Sequence, residues 1–146
     1  MLCRVSRFWR TAYRVQYRIL AIIDPLVRAV WRRLGVGNVI DFEVAQRAGE
    51  GTRTRLLGLL RVGDRWYIGH PNGAVGWTRD LETAGEGTIR WHDGTSAAVH
   101  ARRLDPGDER DVAIGATGQH PFPGNVMYRL GRRHIRAVGV FFRLER

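Results

Sequence analysis

The run Thr88-Ile89-Arg90-Trp91-His92, then Asp93-Gly94, then Thr95 through Leu104, constrains the fold more than any other part of the chain. Asp-Gly between two extended, β-branched and aromatic runs is a strong hairpin signal, because both central residues tolerate the positive φ of a tight reversal. Gly63-Asp64 repeats the pattern between Leu56–Leu60 and Trp66-Tyr67-Ile68, and a turn region at Gly49–Thr52 separates the first of these from Val39–Val44. Asp105-Pro106 starts a helix running to about Ala116, and Ile135–Leu144 closes the chain as a further strand. Six or so mainly antiparallel strands in about 110 residues leave two sheet edges to hide, and curling into a small barrel hides both. The expected class is α+β, mainly β.

The N-terminal part has a different composition. Residues 1–34 carry eight arginines (positions 4, 7, 10, 14, 18, 28, 32 and 33) against Asp24 alone, so this segment holds +7 of the chain's formal +10. Val5, Phe8, Trp9, Ala12, Val15, Ile19, Leu20, Ile22 and Ile23 lie between those arginines at helical spacing, which makes a basic amphipathic helix. Asp24-Pro25 reads as an N-cap and first-turn proline opening a second helix, through Leu26, Val27, Val30, Trp31 and Leu34, that stops at Gly35. The chain divides into a helical segment, 1–34, and a barrel, 35–146. The segment either lies on an anionic membrane, packs on the barrel with a solvated basic face, or contacts nucleic acid. Trp9, Tyr13, Tyr17 and Trp31 point to the membrane interface, where amphipathic rings are at home. No run approaches the roughly 20 apolar residues a spanning helix needs, and none has the form of a cleaved signal.

All 24 basic residues of the 146-residue chain are arginine. A phosphate-loop or Schiff-base lysine is thereby excluded, and planar bidentate pairing with phosphate or carboxylate is favoured. The single cysteine, Cys3, rules out an internal disulfide and makes a reducing compartment the default. His70, His92, His100, His120 and His134 show no metal-ligand spacing, so no metal is expected. Between strand and helix lies His70-Pro71-Asn72-Gly73-Ala74-Val75-Gly76-Trp77, a glycine-rich loop without a lysine. Its glycines let the backbone approach a ligand closely, and successive N–H groups at a helix start form an anion-binding nest.

The order of these pieces resembles the deazaflavin-dependent nitroreductase family. The segments that carry the resemblance are DPLVRAVWRRLG from Asp24, RTRLLGLLRVGDRWYIGH from Arg53, NGAVGWTRDLE from Asn72, GTIRWHDGTSAAVHARRLDPGDER from Gly87, and HPFPGNVMYRLGRR from His120. The resemblance implies a split β-barrel related to FMN-binding and pyridoxamine-phosphate-oxidase-like proteins, with N-terminal amphipathic helices and short peripheral helices. It also implies an oxidoreductase that passes hydride from reduced coenzyme F-420, a deazaflavin with an anionic tail, to a quinone or nitro acceptor. In that reading Asn72, Gly73, Ala74, Val75, Gly76 and Trp77 bind the cofactor. The family's Gly-Arg/Lys-x-Ser-Gly turn is replaced by QRAGEGTRTR, in which Arg47, Arg53 and Arg55 stand in as cations for the tail while Glu50 opposes it. His120, Phe122 and Tyr128 fall near the ring: Phe122 and Tyr128 as substrate contacts, Tyr128 or His120 as proton donor, with His120 the nearer to neutral pH.

Three readings stay open. The first is the reductase, cytoplasmic and peripheral on the inner face of the cell membrane through residues 1–23, facing a membrane-dissolved acceptor. The second is a non-catalytic split barrel that binds flavin, FMN included, or haem, and the altered turn favours it. The third is a basic nucleic-acid-binding module, disfavoured because the charge sits on an apolar-rich helix beside a nearly neutral barrel, so no nucleic-acid partner is expected.

Overall fold

The computed structural model describes residues 2–146, and the side chains from Ser6 onward; those of Cys3, Arg4 and Val5 lie outside the described residues. A helix, α1 (Leu2–Leu34), precedes strands β1 (Val39–Ala45), β2 (Thr52–Gly58), β3 (Leu60–Val62) and β4 (Arg65–His70). Helix α2 (Gly76–Ala84) and the hairpin β5 (Glu86–Arg90) and β6 (Ser96–Arg103) come next, then α3 (Asp108–Gly115), a 3-10 turn (Ala116–Gln119), α4 (Gly124–Leu130), α5 (Arg132–Val138) and β7 (Val140–Glu145).

All pairings are antiparallel, and the seven strands lie in the order β2-β1-β5-β6-β7-β4-β3. The first and last members of that order are consecutive in the chain, with only Leu59 between them. Two outer strands joined by one residue must meet in space, so the sheet curls into a barrel whose seam is this covalent link. Asn38, just before β1, carries the β1–β2 pairing on to the linking residue: its carbonyl accepts the Leu59 N–H at 2.9 Å, and its Nδ2 donates to the Leu59 carbonyl at 3.1 Å.

Alternation along the strands makes two cores. Ile40, Phe42, Val44, Ile68, Ile89, Val99, Val140, Phe142 and Leu144 point inward, and Trp77 and Leu81 of α2 complete the interior. The intervening residues of β4 and β7, Tyr67 and Phe141, point outward into a second cluster with Tyr13, Ala113, Ile114, Tyr128 and Ile135 from the helices. The sheet is therefore covered on one outer side by α1, α3, α4 and α5.

Four sequence expectations change. The helix expected to break at Asp24-Pro25 runs through it, with Pro25 inside α1. The Asp24 carboxylate does not cap; it accepts from Arg28 Nε at 2.7 Å, while Arg28 Nη1 reaches Asp41 at 3.1 Å. A proline inside a helix costs about 3 kcal/mol, and here both flanking halves are held down, by Tyr13 before it and Trp31 after it. Tyr13 and Trp31 are themselves buried rather than presented to an interface: Tyr13 donates to the Met127 carbonyl at 2.9 Å and Trp31 Nε1 to the Val39 carbonyl at 2.8 Å. The last strand begins at Val140, because Arg132–Val138 is helical. Of the two hairpins, Gly63-Asp64 is the true two-residue turn, with Val62 opposite Arg65 and Gly63 at φ 61°, whereas Trp91–Thr95 forms a longer loop.

Candidate functional site

The cationic edge follows from strand register. Arg53 and Arg55 of β2 stand opposite Val44 and Phe42 of β1, whose side chains fill the barrel, so these arginines occupy inward-facing positions on the outermost strand. Arg53 Nε donates to Asp80 Oδ2 at 2.8 Å. Arg47 donates to Asp80 Oδ1 from Nε at 2.9 Å and from its backbone N–H at 3.2 Å. Burial alone would raise the Asp80 carboxyl; the two guanidinium groups and the Arg47 N–H hold it below the ordinary carboxylate range. Asp80 is 2% exposed, so the β1–β2 turn is tied to α2 by a buried anion shared between two partly exposed cations. Arg55 makes no ion pair among the described residues; its Nη1 donates to the Thr54 carbonyl at 3.0 Å.

The glycine loop closes against this edge. Gly73 needs its glycine for conformation, with φ 89°. Gly76 needs it for space: a Cβ there would lie 2.7 Å from Arg53 Nη1. The Thr78 hydroxyl donates to the Val75 carbonyl at 2.9 Å and accepts the Val75 N–H at 2.8 Å. The N–H groups of Gly76 and Trp77 open α2 and have no acceptor within it. Ala74 is exposed, and Trp77 is packed into the barrel interior. Asn72 anchors the loop, donating through Nδ2 to the Arg10 carbonyl at 3.1 Å while its Oδ1 lies 2.9 Å from His134 Nε2.

A second group gathers around Tyr128. The His120 ring lies 4.6 Å from the Tyr128 ring, and the Tyr128 and Tyr17 hydroxyls are 3.3 Å apart. Tyr17 also stacks on His70 at 4.7 Å, and His70 meets Trp77 edge-on at 6.5 Å. An aromatic chain thus runs from the loop to α4. Burial pushes His70 and His120 down to about 4, so both imidazoles are neutral at neutral pH, and His120 is not the near-neutral acid its residue type suggests. Burial raises the Tyr128 and Tyr17 hydroxyls, which keeps both protonated as donors. Phe122 stands apart on the surface, 79% exposed.

Of the residues expected from sequence, Arg47, Arg53 and the loop form one cluster and His120 with Tyr128 a second, while Phe122 lies outside both. Three residues that connect or fix them, Asp80, His70 and Tyr17, lie outside the set that the sequence singles out. Asp80 carries no local signal; Tyr17, four residues after Tyr13, belongs to the same inward face of α1. Of two shallow depressions, one of about 390 Å³ beside Trp66 lies away from both clusters, and one of about 500 Å³ runs from His100 to Val44, Ala45 and Thr52 next to the Arg53 edge.

No protein-family model matches the chain, and no curated protein is detectably similar to it in sequence. Solved structures are similar in fold. The F420-H2 dependent reductase FDR-A superposes with a TM-score of 0.60 over 74% of this chain and 94% of its own, at 12% identity. HutZ, the haem storage protein from Vibrio cholerae, gives 0.55 over 84% and 89%, also at 12% identity. A domain-swapped dimer gives 0.57 over 89% and 98%, again at 12% identity. The fold is thus an α+β split β-barrel, as the order of segments implied.

Proposed function

We infer that the protein is a deazaflavin-dependent oxidoreductase that passes hydride from reduced coenzyme F-420 to a quinone or nitro acceptor. The observation that carries this reading is the Arg53 guanidinium lying over Gly76 at the opening of α2, with Arg55 beside it on the same strand face. Two cations beside two N–H groups that have no acceptor within the helix suit an anionic tail. Asp80 fits this arrangement as well, since it holds Arg47 and Arg53 in place and cancels one of their charges.

When bound, the reduced deazaflavin supplies the hydride. Arg53, Arg55 and the N–H groups of Gly76 and Trp77 would hold its anionic tail, beside the Asn72–Gly76 backbone. Tyr128, held protonated and 3.3 Å from Tyr17, donates a hydrogen bond to the oxygen that gains charge in the acceptor. Likeness to an F420-H2 dependent reductase supports the reading at the level of fold. The test is titration with the deazaflavin coenzyme, FMN and haem in parallel, followed by turnover with a soluble quinone. Tightest binding of the deazaflavin, weakened at least tenfold by Arg53→Ala, is expected. Preferential binding of FMN or haem without turnover would replace this reading with that of a non-catalytic binder, which the likeness to a haem storage protein favours.

A further inference from the structure

Helix α1 has two faces with different occupants. One face, carrying Tyr13 and Trp31, is buried against the barrel. On the other, Phe8, Val15, Ile19, Ile22, Leu26 and Val30 are all exposed, from 42% at Val30 to 80% at Ile22. At 100° per residue these six side chains fall within an arc of roughly 80°, and Phe8 to Val30 extends about 33 Å along the axis. Arg7, Arg14, Arg18 and Arg32, all exposed, line one flank of that arc, and none is ion-paired among the described residues. Asp24, the only acid of α1, is engaged by Arg28. A stripe this long and apolar is unusual on a surface without a partner.

We propose that this outer face of α1, from Phe8 to Val30, is a docking surface for an anionic lipid bilayer, on which the helix lies in the plane of the interface. Charge chooses the occupant. A second copy of this face brings no free acid to meet the arginine row, since Asp24 is engaged by Arg28, whereas acidic headgroups beside an acyl boundary complement both row and stripe. No helix of the described residues is long and apolar enough to cross a membrane, so the contact is peripheral. The surface extends past residue 23, and it is built on a helix the core also needs. The inference does not depend on the cofactor.

The experiment uses the full chain and vesicles of phosphatidylcholine with or without phosphatidylglycerol, at low and high salt. Co-sedimentation with the phosphatidylglycerol vesicles, at least tenfold above pure phosphatidylcholine and weakened by salt, is the expected result. Ile22→Glu with Leu26→Glu should abolish it with the melting temperature unchanged, since both side chains are already in solvent; Arg14→Gln with Arg18→Gln should erase the lipid preference. A wild-type protein that stays in the supernatant overturns the proposal. So does a dimer by light scattering that the Glu variants convert to monomer, which would assign the stripe to a second copy.

Discussion

Gly73 and Gly76 sit three residues apart and do different jobs, which makes them separable by mutation. Gly73 is required by its backbone, at φ 89°, so Gly73→Val should destabilise the fold by about 1–3 kcal/mol whatever the ligand. Gly76 is required by its neighbour, and that neighbour is the mobile end of an arginine. Gly76→Val should therefore leave the melting temperature within a few degrees while displacing Arg53 and weakening anion binding at least tenfold. Thermal melts and coenzyme titrations of the two variants check both halves, and an equal loss of stability in both would reduce the loop to a plain turn. Buried charge gives a second contrast. Asp80→Asn leaves Arg47 and Arg53 without their shared anion; since both guanidinium groups keep partial access to water, the loss should be about 2–3 kcal/mol rather than the full cost of an orphaned interior charge. Chemical denaturation measures it.

Among the elements, α1 decides how much of the molecule was legible beforehand. Its amphipathic spacing was plain, but periodicity cannot say which of two apolar faces meets the protein. The helix carries both, Tyr13 and Trp31 inward and Phe8 to Val30 outward. Residues 2–23 are consequently not a detachable anchor: their deletion removes Tyr13 from the second core and Tyr17 from the His70–Tyr128 contact. The truncated protein should fail to fold cooperatively, and Tyr13→Ala alone should cost about 3–5 kcal/mol, as a buried aromatic truncation does. A truncated chain with the melting curve of the full one would contradict this. The strands are more legible than the helices, because turn residues such as Gly63-Asp64 and period-two alternation act locally. The sequence places the start of β7 too early because Ile135, in an arginine-rich stretch, serves a short helix before Gly139. Of the site, the loop and cations were visible as composition. Their anchor Asp80, 33 residues from Arg47, and the Tyr17–His70 stack, which joins α1 to β4, arise only from the tertiary arrangement.

For the whole molecule, acid is the weak side. His70 and His120 titrate at about 4 when folded against an ordinary 6.5, so the unfolded chain binds protons first, and stability fully present above pH 6.5 drains away as the pH falls toward 4. For the buried His70 this is on the order of 3 kcal/mol. Asp80 acts in the same direction lower down, its contribution lasting until the pH drops below the ordinary carboxylate value and through its own depressed one. Melting temperatures between pH 7.5 and 4.5 should fall steadily, and His70→Asn should flatten the upper part of that slope. The barrel's seam carries a consequence of its own. Six strand pairings hold the sheet, but β2 and β3 are joined by the chain and not by a ladder, so parting them costs apolar contact while every pairing survives. The cylinder is in effect a rolled sheet with one stitched edge, and its cheapest way to breathe is to unroll there, beneath the His120 ring that rests on Gly58.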